Sequence, residues 1–181
     1  MEGVSDGQPI YLVTGIMAAG KSTVAQALAE RLPRSVHVRG DTFRRFIVNG
    51  RVEMTLEPSD EARAQLHLRY ELAALSADRY AAAGFAVVLQ DIVLGAELQA
   101  MITRIASRPL HVVVLVPAAD EVAAREAGRA KVGYVAITPQ DLDGALRNET
   151  PPIGLWLDTT TLTVEETIAQ ILSRPAESLV S

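Results

Sequence analysis

The chain has 181 residues, no cysteine, 49% hydrophobic but only 4% aromatic residues, and a formal charge of −5. That length suffices for one domain with a substantial core, while the missing cysteine excludes disulfides, thiol nucleophiles and cysteine-ligated metal. The acidic balance makes nucleic acid an unlikely main partner, and no apolar run approaches the length of a membrane span, so a soluble cytoplasmic protein with no membrane partner is the expectation.

Residues 1–8 read as a frayed tail: Met1-Glu2-Gly3-Val4-Ser5-Asp6-Gly7 is acidic and polar, unlike a signal peptide. Ile10-Tyr11-Leu12-Val13-Thr14 is an apolar, β-branched run that predicts a buried parallel strand. Gly15-Ile16-Met17-Ala18-Ala19-Gly20-Lys21-Ser22 then fits G-x-x-x-x-G-K-[ST], the phosphate-binding P-loop. Ser22 to Leu32 follows as a helix, with Val24, Ala25, Leu28, Ala29 and Leu32 at helical spacing. Strand, glycine loop and helix come in the order the motif requires.

The residue types explain the chemistry. Gly15 and Gly20 let the backbone bend tightly, so that N–H groups from Ala18, Ala19, Gly20, Lys21, Ser22 and Thr23 can cradle phosphate oxygens at a helix N-terminus. Lys21 is placed to reach the β- and γ-phosphates, and the Ser22 hydroxyl to ligate Mg²⁺. Lys21 and Lys131 are the only lysines among many arginines. The expected ligand is a nucleotide, with ATP the default donor.

Further along, Val36–Arg39 predicts a second strand closed by Gly40-Asp41, and Thr42–Val48 a short helix with Phe43, Phe46 and Ile47 on one face. Asn49-Gly50 marks a turn, and Ser59 or Asp60 can cap a helix running to Ala83 and ended by Gly84. Ala86–Leu89 is a third strand ending in Gln90-Asp91, 96–107 a helix, and Leu110–Val116 a fourth strand. Ala118–Ala130 reads as helix, Thr138 as the cap of a helix from Pro139 to Arg147, and Gly154–Asp158 as a fifth strand. Thr163 opens a final amphipathic helix. Strands alternating with helices imply a three-layer α/β domain with a five-stranded parallel sheet, spanning 1–181 without an internal boundary.

Ligands of such sheets bind beyond the carboxyl ends of the strands. Asp41 and Asp91 fall there, after strands two and three, where an aspartate can take a proton from an acceptor hydroxyl or hold Mg²⁺. The plainer alternative for each is a loop aspartate capping the next helix. Arg125 and Arg129 share one helix face, with Lys131 beyond them; either they form an ordinary solvated face with Glu121 and Glu126, or they close over a ligand. His37 and His111 read as packing or rim residues, Tyr70, Tyr80 and Trp156 as core residues with polar tips at the boundary, and no spacing suggests a zinc site or a serine–histidine triad. No Asn-Lys-x-Asp guanine signature appears, which argues against an ordinary GTPase switch but leaves GTP open as a phosphate donor.

Residues 10–48, through Ala19-Gly20-Lys21-Ser22-Thr23 and Val38-Arg39-Gly40-Asp41-Thr42-Phe43-Arg44, resemble the small P-loop kinases. Chloramphenicol phosphotransferase-like proteins and the kinase domains of polynucleotide kinases are the nearest likenesses. The resemblance implies a nucleotide-kinase-like P-loop fold with sheet order 2-3-1-4-5 and a helical lid over about 118–137, carrying Arg125 and Arg129. It implies Asp41 as the base, and Arg44 or Arg45 orienting the acceptor. It also places Pro151 and Pro152 beside an adenine ring, and Arg63, His67 and Arg69 near the acceptor pocket. The implied function is Mg²⁺-dependent transfer of the ATP γ-phosphate to a hydroxyl of a small molecule, an antibiotic included. The rivals are a nucleic-acid 5′-hydroxyl kinase and a non-enzymatic nucleotide-binding module.

Overall fold

The computed structural model describes residues 7–122 and 137–180. β1 (Ile10–Gly15) is buried at every position and leads through the P-loop into α1 (Lys21–Arg31). β2 (Ser35–Arg39), α2 (Asp41–Arg45), α3 (Asp60–Ala82), β3 (Ala86–Gln90), α4 (Ala96–Arg104) and β4 (Leu110–Leu115) follow. From residue 137 onward come α5 (Pro139–Gly144), a π-helical turn (Ala145–Glu149), β5 (Leu155–Leu157), α6 (Val164–Ser173), α7 (Pro175–Ser178) and β6 (Leu179–Val180).

The sheet order is β2-β3-β1-β4-β5, all parallel, as the resemblance implied. The apolar runs of β1, β3 and β4 explain this arrangement: strands buried on both faces need helices on both sides. Leu12, Leu28, Leu89, Leu98, Met101, Leu110 and Ile171 form part of that fully or almost fully buried interior. The core is aliphatic and alanine-rich along α3, where Ala73, Ala74 and Ala77 let the long helix lie close to the sheet.

Four features depart from the sequence reading. A sixth strand, β6, adds antiparallel to the start of β4 through Leu110↔Val180 and His111↔Leu179, covering an edge that the short β5 leaves open. The α2 helix starts at Asp41 and ends at Arg45, short of Val48. The helix from Pro139 widens into the π turn after Gly144, and Thr150 then donates to Ala145 O at 2.9 Å and accepts from Gly95 N at 2.7 Å. Tyr80 lies 45% exposed, edge-on to Phe85, rather than in the core. Among the described residues no helix is long and apolar enough to cross a membrane.

Candidate active site

The P-loop sits where β1 meets α1, and its backbone is shaped for close approach. Gly15 has φ 146°, and a Cβ there would meet Leu115 O at 2.7 Å, so only glycine fits between β1 and β4. Gly20, φ 88°, is the N-cap of α1, and Ala18 holds φ 58°, a left-handed conformation costing an alanine about 1–2 kcal/mol. Such outliers persist where the surroundings over-determine them, commonly at ligand clamps. The first turn of α1 carries no acidic residue, so the positive end of its dipole faces the loop without a competing carboxylate.

Lys21 is 9% exposed and its Nζ donates to Ile16 O at 2.6 Å, so the ammonium is folded over the loop itself. Ser22 and Thr23 are exposed at the helix start. Ser22 Oγ donates to Gln90 Oε1 at 3.4 Å, which ties the helix to the end of β3.

Asp41 is the first residue of α2, with its side chain 37% exposed and ion-paired to Arg45 one turn on. Arg44 pairs with Glu53, which Arg51 also approaches at 3.5 Å. Both arginines that the resemblance assigns to the acceptor are thus held by carboxylates. His37, on β2 behind this turn, is pushed down to about 4: burial disfavours its cation, the Arg39 charge adds to that, and Asp41 opposes it. Its Nδ1 lies 2.9 Å from Gln26 Oε1, and its buried Nε2 has no hydrogen-bond partner among the described residues.

Asp91 comes to the same end of the sheet but is not open to it. The residue is 2% exposed, and Arg69 of α3 grips both its oxygens. The Ile92 amide donates to Oδ1 at 2.7 Å. The sequence points to Arg69 only as a neighbour of the acceptor pocket; this pairing has no sequence signal, because the two residues meet only through the path of α3. Gln90 was also passed over, although a polar residue closing an apolar strand is the visible signal there. His67 is likewise engaged, with Nε2 2.8 Å from Glu97 Oε1.

On the other side of β1, an open pocket of about 320 Å³ lies beyond the ends of β4 and β5, lined by Val116, Ala118, Arg147, Trp156 and Asp158. Arg147 donates to Pro117 O at 3.2 Å and pairs with Asp143. Asp158 is held below the usual carboxylate range by hydrogen bonds from the Thr160 side chain and backbone. Pro151 and Pro152 are not in this lining; Arg147 from the same segment is. Arg125, Arg129 and Lys131, with the lid they were expected to form, lie outside the described residues.

Among the described residues no three His, Asp or Glu side chains cluster as a metal cage. The donor set still fits Mg²⁺ shared with nucleotide phosphates, since that ion commonly takes one or two protein ligands and fills the rest with water and phosphate oxygen. Ser22, exposed and beside the P-loop, is the protein oxygen that suits it.

Comparisons with known proteins agree with this fold. No curated protein sequence gives a significant match. A sugar kinase from Janibacter sp. HTCC2649 superposes with a TM-score of 0.69 at 19% identity, over 94% of this chain and 96% of its own. The tunicamycin resistance protein of Deinococcus radiodurans gives 0.67 at 17% identity, over 96% and 99%. The APS kinase CysC of Mycobacterium tuberculosis, in complex with AMPPNP and APS, gives 0.66 at 18% identity, over 93% and 96%. At such identities the likeness establishes the fold. A family model described as an AAA domain matches residues 10–152, and the chain belongs to that family of P-loop domains.

Proposed function

We propose that this protein is a cytoplasmic, Mg²⁺-dependent kinase that moves the γ-phosphate of ATP, or of another NTP, onto a hydroxyl of a small molecule. The observation that carries the reading is the joint placement of a P-loop and a half-exposed carboxylate, Asp41, at the same end of one parallel sheet. A module that only holds nucleotide has no need of that carboxylate. The sugar kinase and APS kinase among proteins of this fold support a small acceptor.

The P-loop amides from Gly15 to Thr23 would hold the phosphates, and Lys21 would exchange its bond to Ile16 O for β- and γ-phosphate oxygens. Ser22 would hold Mg²⁺, which when bound neutralises phosphate charge. Asp41 would accept the acceptor's hydroxyl proton as that oxygen bonds to the γ-phosphorus and the bond to the β–γ bridging oxygen breaks, leaving the nucleoside diphosphate. Arg44 and Arg45 would orient the acceptor. Arg125 and Arg129 would close over the transferring group, as arginines do where they stabilise phosphoryl charge. The base would lie in the pocket between Arg147 and Trp156, with Pro151 and Pro152 rigidifying the segment before β5. A hydroxylated antibiotic is the acceptor we favour, in a resistance role, on the likeness of fold to the tunicamycin resistance protein.

The test is transfer of labelled γ-phosphate from ATP, and in parallel GTP, to a panel of chloramphenicol, nucleoside and aminoglycoside antibiotics, simple sugars and a 5′-hydroxyl oligonucleotide. Label on one small molecule is expected. Label on the oligonucleotide would replace the acceptor class, and tight nucleotide binding with no label on any acceptor would favour a binding module.

A further inference from the structure

Beneath the first turn of α2 lies a buried ion pair that phosphoryl transfer does not itself require. The side chains of Arg69 and Asp91 are 5% and 0% exposed. Arg69 Nε donates to Asp91 Oδ2 at 2.9 Å, Nη2 donates to Oδ1, and the Ile92 amide donates to Oδ1 as well. The neighbouring α3 residue, Tyr70, donates its hydroxyl to Ile92 O at 2.7 Å, so two consecutive residues of α3 clamp residues 91 and 92.

Gly40 rests directly on this carboxylate. Its φ of −61° suits any residue, so conformational freedom does not explain the glycine. Space does: a Cβ there would overlap Asp91 Oδ2 and come within 2.5 Å of the carboxyl carbon. Gly40 N donates to Gln90 O at 3.0 Å, and Gly40 O accepts from Phe43 N at 3.2 Å. The residue before Asp41 is therefore fixed from below by the ion pair, from the side by β3 and from above by α2.

We propose that the Arg69–Asp91 pair is a positioning element for Asp41, setting the height of the Gly40–Asp41 step over the sheet and hence the aim of the Asp41 carboxylate, and that Asp91 is neither a metal ligand nor an acceptor ligand. The inference rests on reading Asp41 as the base. A carboxylate gripped through both oxygens could turn to a metal only by stranding a buried guanidinium. The planar fork also fixes the plane of the carboxylate, which a lysine ammonium, acting as a point charge, cannot do.

The test compares the full chain with its Arg69→Lys, Gly40→Ala, Asp91→Asn and Asp41→Asn variants. Hydrolysis of MgATP, with water as the acceptor, gives kcat and the Mg²⁺ concentration for half-maximal rate. Fluorescent mant-ADP gives nucleotide affinity, and ¹⁵N spectra report the amides of residues 40–42. For folded Arg69→Lys and Gly40→Ala proteins, kcat should fall about tenfold to a hundredfold, the scale of a small misplacement of a reacting group. Their mant-ADP affinity should stay within threefold of the parent, the amides of residues 40–42 should shift, and Asp91→Asn should leave the Mg²⁺ requirement unchanged. A raised Mg²⁺ requirement in Asp91→Asn, or unmoved amides in the other two variants, overturns the proposal. If Asp41→Asn abolishes hydrolysis while Arg69→Lys and Gly40→Ala match the parent, the positioning role alone fails. If Asp41→Asn itself matches the parent, the reading of Asp41 as the base fails, and this inference with it.

Discussion

Asp41, at the start of α2, and His37, behind it on β2, stand in different electrostatic surroundings. Asp41 is partly in water and paired with Arg45, so its carboxylate is held in place yet accessible. Replacing it by Asn keeps the shape and removes the base. Transfer should then fall by about 10²–10⁴-fold, the usual worth of general-base help, while nucleotide affinity by titration calorimetry stays unchanged. Loss of both together would mean that Asp41 holds the nucleotide instead. His37 is half-buried, and that burial together with the Arg39 charge lowers its pKa to about 4. The native state therefore binds fewer protons than the unfolded chain between the ordinary histidine value and about 4, and stability present above that window drains away as pH falls through it. Urea midpoints at pH 7 and pH 5 should differ less for His37→Gln than for the parent; an unchanged pH slope would remove His37 from the account. The glycine–lysine motif and the strand-ending aspartates were legible in the sequence because spacing alone marks them. The burial of Asp91 was not, because only the path of α3 brings Arg69 to it.

At the scale of elements, the caps were readable and the edges were not. Ser59 accepts from Ala62 N, and Thr163 accepts from Glu166 N while Glu166 reaches back to Thr163 N, a complete capping box at the start of α6. Both sites announce themselves as a serine or threonine before a helical period. Thr163→Ala should cost about 1 kcal/mol, seen as a lower urea midpoint with an unchanged denaturant slope. No shift would show that packing of Ile168 and Ile171 fixes that helix without its cap. By contrast, β6 is two residues long and carries no period to detect. It is held by pairing to β4 and by Ser178 Oγ, 2.9 Å from His111 Nδ1, a contact between residues 67 apart in sequence. The π turn after Gly144 was hidden for a similar reason. Its wider winding serves the bond between Thr150 and Gly95, and local propensity carries no trace of that partner.

For the whole molecule, the sheet divides the work. β1 leads into the P-loop, β2 and β3 with α2 and α3 gather Asp41, Arg69 and Asp91, and β4 with β5 flank the open pocket. The alternation of strands and helices was legible in the sequence, whereas the strand order followed from the family resemblance and not from any local pattern. In the proposed kinase, nucleotide would bridge from β1 across β4 to β5, strands that pair directly at Gly15↔Leu115 and Leu115↔Leu157. A ligand that binds only the folded chain stabilises it by mass action, about 2.7 kcal/mol at a hundred times Kd. For a domain of this size each kcal/mol raises Tm by about 2–4 °C, so MgADP at that excess should raise Tm by about 5–10 °C. If Ser22 and the phosphates share the metal, chelation by EDTA should remove part of that rise and none of the stability of the nucleotide-free protein, because the protein side chains alone form no metal cage among the described residues. A fall in Tm on adding EDTA without nucleotide would instead mean a resident metal that folds with the chain. An undiminished rise would mean that the P-loop amides and Lys21 hold the phosphates without a metal in between.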